Sequence, residues 1–204
     1  MNLNEQTLNG EFVDLVPLRM DDAELTFRWR QGARAAHLNR GAADIGQQAA
    51  WIAARPTSEY NFIIRLKDGR PVGMLALCGI DDLHRHAESG RFLIGDEEAV
   101  KGIPAAVEAM KMLYELAFDR LKLTRVFGTI AADNKLMIKW QKFLGMKEEG
   151  RLRNHYFING HFQDCVMLGI LEHEYRDMAL PRMTSLIAAG RKSAAAGTKT
   201  GENE

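Results

Sequence analysis

Three side chains able to take up a proton lie close together in the sequence: His84, His86 and Glu88. A histidine titrates near neutral pH and so suits general-base work, and a glutamate can do the same through a bound water. These residues also have a plain reading, because a polar corner between strands often carries solvated histidines with no task. Further on, Lys101-Gly102-Ile103-Pro104 leads directly into a long helical pattern. A helix start leaves its first N–H groups unpaired, and with the helix dipole behind them they favour an anion such as a pyrophosphate. Gly102 lets the backbone come close, and Pro104 suits a first turn because it has no N–H to leave unsatisfied. The same two residues could simply shape a loop. Asn134, after Ala131-Ala132-Asp133, is a helix cap and a candidate ligand at once. Arg30, next to Trp29, can meet a phosphate. Cys78 and Cys165 stand far apart with no partners at metal-ligand spacing, so no metal is expected.

The elements that must position these residues follow from periodicity and turn chemistry. A strand is expected over 12–18, a helix from Asp21 or Asp22 to Gln31, a loop over 32–45 and a short helix over 47–54 that stops before Pro56. Strands over 60–66, 72–80 and 88–95 make an antiparallel meander, the first two joined at Asp68-Gly69. Val107, Met110, Leu113, Tyr114, Ala117, Phe118 and Leu121 fall at helical spacings of three and four, which predicts a helix over 104–121 with Tyr114 on its apolar face. A strand over 125–132, a helix over 134–144 closed by Gly145, and a hairpin over 152–158 and 162–171 around Asn159-Gly160 complete the order. The fold class is therefore α+β: a mixed, mostly antiparallel sheet flanked by helices, with one right-handed parallel β-α-β crossover. One domain is expected over 1–176, a C-terminal helix over 177–190 and a disordered tail over 191–204.

Composition bounds the function. The 204 residues carry 27 Lys+Arg and 27 Asp+Glu, which argues against a protein that neutralises nucleic-acid phosphates or clings to an anionic membrane. Hydrophobic residues at 46% and charged residues at 26% are a globular mix. With no apolar run of membrane-span length, no signal-peptide pattern at the start and two cysteines in apolar surroundings, a cytoplasmic protein with reduced thiols is expected.

Several pieces in order resemble the GCN5-related N-acetyltransferase (GNAT) family, closest to its branch acting on ribosomal-protein termini and nucleotide-linked amino sugars. They are Leu18-Arg19-x-x-Asp22-Ala23-Glu24 with Trp29-Arg30; Lys101-Gly102 to Glu108-Ala109; Ala117-Phe118 with Leu123-x-Arg125-Val126; Asn134; the 144–150 stretch; and Gly160-x-x-x-Asp164 before Leu168 and Glu174-Tyr175. The resemblance covers roughly residues 12–176. It implies acetyl-CoA as co-substrate and a primary amine as acceptor. It places the pantetheine arm beside Phe92, Leu93 and Ile94 as an added strand, the pyrophosphate on Lys101, Gly102, Ile103 and Pro104, and Asn134 on the cofactor. His84, His86 and Glu88 would face the acceptor as candidate bases, with Trp29, Arg30 and Tyr156 as acceptor contacts and Asp164 fixing the sheet. The favoured acceptor is a nucleotide-linked amino sugar. A protein N-terminus, or a non-catalytic CoA-binding domain on the same scaffold, is the alternative, and a homodimer stays open. Glu97, Val100 and Gln141 depart from the family pattern. Gln141 stands where many members carry a tyrosine that protonates the departing thiolate.

Overall fold

The computed structural model describes residues 5–38 and 41–199, and for 192–199 the backbone alone. Eight strands form a single sheet: β1 (Leu8–Asn9), β2 (Val13–Pro17), β3 (Tyr60–Leu66), β4 (Pro71–Asp81), β5 (His86–Ile94), β6 (Arg125–Ala131), β7 (Lys147–Ile158) and β8 (His161–Leu171). Their spatial order is β1-β2-β3-β4-β5-β6-β8-β7. Every neighbouring pair is antiparallel except β5 and β6, which run parallel across the intervening helix α3 (Ala105–Glu115). Helices α1 (Ala23–Gln31) and α2 (Ile45–Ala53) precede the meander, and α4 (Lys135–Phe143) follows β6. The chain ends in α5 (Glu172–Glu174), a π-type turn (Tyr175–Ala179) and α6 (Leu180–Lys199).

The sheet buries both faces, which is why β4 reads as a continuous apolar run rather than an alternating one. On one face Leu15, Phe62, Ile64, Leu75 and Leu77 pack under α3 and α6, whose Met110, Leu113 and Met183 are almost fully enclosed. Tyr114 belongs to this core, edge-on to Tyr175 with ring centroids 5.6 Å apart. On the other face Ile63, Met74 and Leu93 pack under Ala35, with Leu18, Trp29 and Leu38 against them.

Three features differ from the sequence expectations. β7 begins at Lys147, well before residue 152, because its first residues pair with β8 and owe nothing to their own alternation: Glu148, Glu149 and Gly150 are all exposed. The 32–45 loop contains a 3₁₀ turn (Ala33–Ala35) whose Ala35 seals the smaller core. The final helix is assigned through Lys199, beyond the residue-190 end expected for it; residues 200–204 of the expected tail lie outside the described residues. Cys78 and Cys165 are free and buried. Among the described residues no helix is long and apolar enough to cross a membrane, and no group of three His, Cys, Asp or Glu side chains is placed to hold a metal ion.

Candidate active site

A cleft of about 1060 Å³ opens where β5 and β6 part. The two strands pair only at His86–Arg125, Ala87–Val126 and Glu88–Phe127. Beyond Glu88 they diverge, and among the described residues the β6-facing edge of residues 90–94 has no strand to pair with. A register shift between Met74 and Ala76 puts a bulge on the other edge of β5, with Arg91 at φ 57°. Bulges of this kind re-aim side chains beside functional sites. The Arg91 guanidinium leaves the strand for Glu59 at 2.8 Å and Asn61 Oδ1 at 2.7 Å, and lies over the Trp51 ring.

On the α1–α2 side of the cleft, Glu88, Thr129 and Tyr156 form a hydrogen-bonded chain. Thr129 Oγ1 donates to Glu88 Oε1 at 3.1 Å and lies 2.6 Å from the Tyr156 hydroxyl. Burial pushes the Tyr156 phenol above its ordinary value, against the pull of its bond to Thr129. Tyr156 reaches Thr129 because β7 is bulged between Leu152 and Tyr156. Asp164 pins that bulge by accepting from the Asn154 N–H at 2.9 Å and from Arg151 Nε at 2.8 Å. Burial, and then the charge of Arg91, presses the Arg30 guanidinium below its usual value. Segment 33–38 spans the cleft: Arg34 pairs with Glu97 on one rim, and His37 lies 3.4 Å from Asp133 on the other.

The opposite end is the start of α3. The first helical backbone bond of α3 runs from Glu108 N–H to Pro104 C=O, so the N–H groups of Ala105, Ala106 and Val107 have no helical acceptor. Gly102 before them holds φ 77°, with no atom within 4 Å of where a Cβ would lie. Pro104 is buttressed by α6, since a Cβ on Gly190 would sit 2.6 Å from its ring. Between the two ends, Gln141 of α4 lines the cleft and its buried Oε1 has no partner among the described residues. Such an orphan acceptor suits an amide N–H of a ligand.

Residues 13–147 match the model of the acetyltransferase (GNAT) domain, about two thirds of the chain. The chain belongs to the GNAT acetyltransferase family. A spermidine N(1)-acetyltransferase of Escherichia coli K12 is 30% identical over 118 residues, 58% of this chain and 61% of that protein. The Bacillus subtilis protein YdaF, provisionally assigned as a ribosomal N-acetyltransferase, is 34% identical over 110 residues, 54% of this chain and 58% of its own. The chain thus spans about 60% of these curated relatives. A GCN5-related N-acetyltransferase from Brucella melitensis superposes with TM-score 0.76 over 90% of this chain and 86% of its own, at 21% identity. A Vibrio cholerae spermidine N-acetyltransferase chimera gives 0.73 over 82% and 99%, at 22%. At these identities the structures speak for the fold.

Within this GNAT domain the cleft brings together Glu88, Phe92, Leu93, Ile94, Asn134, Arg30 and Tyr156 from the residues picked out in the sequence. The side chains of His84 and His86 lie off it, past the closed end of the β5–β6 pair; they stack on each other at 6.1 Å, and His86 also meets Phe127 edge-on. Trp29 lies off it too, its ring packed on Gly95, where a Cβ would come within 2.3 Å. Lys101, Gly102, Ile103 and Pro104 form the adjoining helix start rather than the cleft wall; Ile103 and Val100 pack against the main core. Asn134 caps α4, accepting from the Met137 N–H at 3.2 Å. Sequence reasoning passed over Arg34, His37, Arg91 and Thr129, all of which line the cleft. Only Thr129 carried a signal: alternation along β6 puts it on the face opposite the buried Val126.

Proposed function

We propose that the protein is an acetyl-CoA-dependent N-acetyltransferase that moves acetyl directly onto a primary amine. One observation carries this reading: the parted β5–β6 pair, which leaves the backbone edge of residues 90–94 unpaired along a cleft. A pantetheine arm can pair there as an added strand does. Gln141 Oε1 is available to a pantetheine amide, and Gly102 with the α3 start suits the pyrophosphate. Glu97, whose charge opposes a phosphate, is offset by its pairing with Arg34. The co-substrate brings the activated acyl group; the chain brings alignment, exclusion of water and a place for the proton.

The acceptor we propose is a protein or peptide N-terminus. Among the described residues Arg30, Arg34 and Arg91 line the cleft with one carboxylate, Glu88; Arg34 pairs with Glu97 and Arg91 with Glu59, so this lining offers a polycation such as spermidine little acidic surface. An α-amino group of pKa about 8 needs only about 1.4 kcal/mol to expose its lone pair at pH 7, whereas a lysine-like amine at about 10.4 needs more than 4. The nucleotide-linked amino sugar favoured by the sequence gains no support from the relatives, whose names point to spermidine and ribosomal acceptors.

Acetyl-CoA is expected to raise the melting temperature by mass action, and thiol release at pH 7 to be faster with a free N-terminal tetrapeptide than with spermidine. Faster turnover of spermidine overturns the acceptor assignment. Binding without acetylation of either amine favours a non-catalytic CoA-binding domain, and absence of binding removes the reading altogether.

A further inference from the structure

We propose that Tyr156, Thr129 and Glu88 act as one proton relay, which carries the acceptor amine's proton away and returns it to the departing thiolate. The proposal rests on the acetyltransferase reading and goes beyond it: Thr129 and Tyr156 receive roles in the chemistry, and the work of the tyrosine absent at position 141 of α4 moves to Tyr156 of β7.

In the relay the chain runs toward Glu88. Thr129 gives its single proton to Glu88 Oε1, at 3.1 Å. The Thr129 hydroxyl oxygen, 2.6 Å from the phenol, then accepts from Tyr156, whose hydroxyl also lies 3.4 Å from the Thr129 carbonyl oxygen. All hydrogens point toward Glu88, and the Tyr156 oxygen keeps a lone pair for a proton arriving from the cleft that all three residues line. Once the amine nitrogen has bonded to the thioester carbonyl carbon, it carries a positive charge and sheds its proton readily. That proton enters at the Tyr156 oxygen, the phenol proton moves to Thr129 and the threonine proton moves to Glu88. No phenolate forms, which matters because burial already disfavours one. When the C–S bond breaks, its electron pair leaves on sulfur. The relay then runs backwards: Glu88 returns its proton to Thr129, Thr129 to Tyr156, and Tyr156 to the thiolate. One proton leaves nitrogen, one reaches sulfur, and the three side chains end as they began.

Placement supports the relay as well as distance. Glu88 is the last residue of β5 that pairs with β6, so it is held where those two strands begin to part. Tyr156 is held by the Asp164-pinned bulge of β7. Both ends of the chain are therefore fixed by backbone geometry, as a transfer over two hydrogen bonds requires.

The test is kinetic and spectroscopic on the 204-residue chain. Thr129→Val and Tyr156→Phe are each expected to lower kcat about 10²-fold or more with the acetyl-CoA Kd unchanged, and the double variant to lose little beyond either single one. Thr129→Ser, which restores the hydroxyl, is expected to recover activity to within severalfold of the parent. Equal activity of Thr129→Ser and Thr129→Val, or a fully active Tyr156→Phe with the parental pH profile, overturns the relay. A second readout needs no acceptor: ultraviolet titration of the phenol, isolated by difference from Tyr156→Phe. Glu88→Gln is expected to move that titration to lower pH, because the far charge is gone, and an unmoved titration contradicts the coupling. Acetyl-CoA binding by a parent protein that acetylates no amine overturns the acetyltransferase reading instead, and the phenol titration then decides the hydrogen-bonded chain alone.

Discussion

Glu108 shows how one carboxylate can hold two distant parts of a chain together. In the first turn of α3 and 5% exposed, it accepts hydrogen bonds from the backbone N–H groups of Glu11, Phe12 and Val13, at 2.7, 2.7 and 2.9 Å. Those amides open β2, and a buried N–H without an acceptor costs as much as a lost hydrogen bond or more. Glu108→Ala is expected to lower stability by about 3 kcal/mol or more in urea unfolding, with Glu108→Gln between it and the parent. A loss under 1 kcal/mol would show that water takes over those amides. The matching Glu108 in the family-like stretch thus has a structural task, 95 residues or more from its partners in sequence.

The decisive element is the start of α3. Its N–H groups without helical acceptors, its exposed Gly102 and its Pro104 seat on α6 are the features on which the proposed pyrophosphate site rests. No atom lies within 4 Å of a Cβ at Gly102, so a side chain there meets a strained φ and an altered charge rather than a clash. Gly102→Ala is expected to cost about 1 kcal/mol of stability and leave acetyl-CoA affinity within severalfold. Gly102→Glu is expected to raise the acetyl-CoA Kd at least tenfold by calorimetry, since a negative charge then faces the pyrophosphate. Equal affinity in the two variants would remove this helix start from the cofactor site.

Across the whole molecule, several carboxylates are held below their ordinary range. Burial pushes Glu59 up, yet the bonds from Arg91 and Asn61 and the charge of Arg55 outweigh it. The Asn154 N–H and then Arg151 lower Asp164. Burial likewise opposes Lys147 and the Leu171 N–H at Glu174, and the two partners prevail. A folded-state value below the unfolded one adds stability that is present above the unfolded value and lost as pH falls through the folded one. The melting temperature is therefore expected to be flat from about pH 8 to 5 and to fall below about pH 4. A rise in melting temperature over that acid limb contradicts these pairings.

Local signals were enough to read most of the architecture. Spacings of three and four marked α3, the Asn159-Gly160 turn marked the β7–β8 hairpin, and β3 was legible to the residue because its ends coincide with its apolar run. The same local signals exposed Glu88, Asn134 and the loop before α3, since general bases, caps and helix starts announce themselves by residue type and position. What sequence could not show depends on chain segments far apart. The start of β7 is exposed on nearly every residue, and only pairing with β8 makes it a strand. Trp29 and the histidine pair have the residue types of a site, yet Gly95 and the closed end of β5–β6 keep them off the cleft. Thr129 has no motif, and nothing local shows that it meets Tyr156, 27 residues on, where β7 is bulged between Leu152 and Tyr156. Residue type and periodicity are local properties that a sequence carries on its face. Which side chains share a cleft is set by register, bulges and the point where two strands part, and those exist only once the sheet has formed.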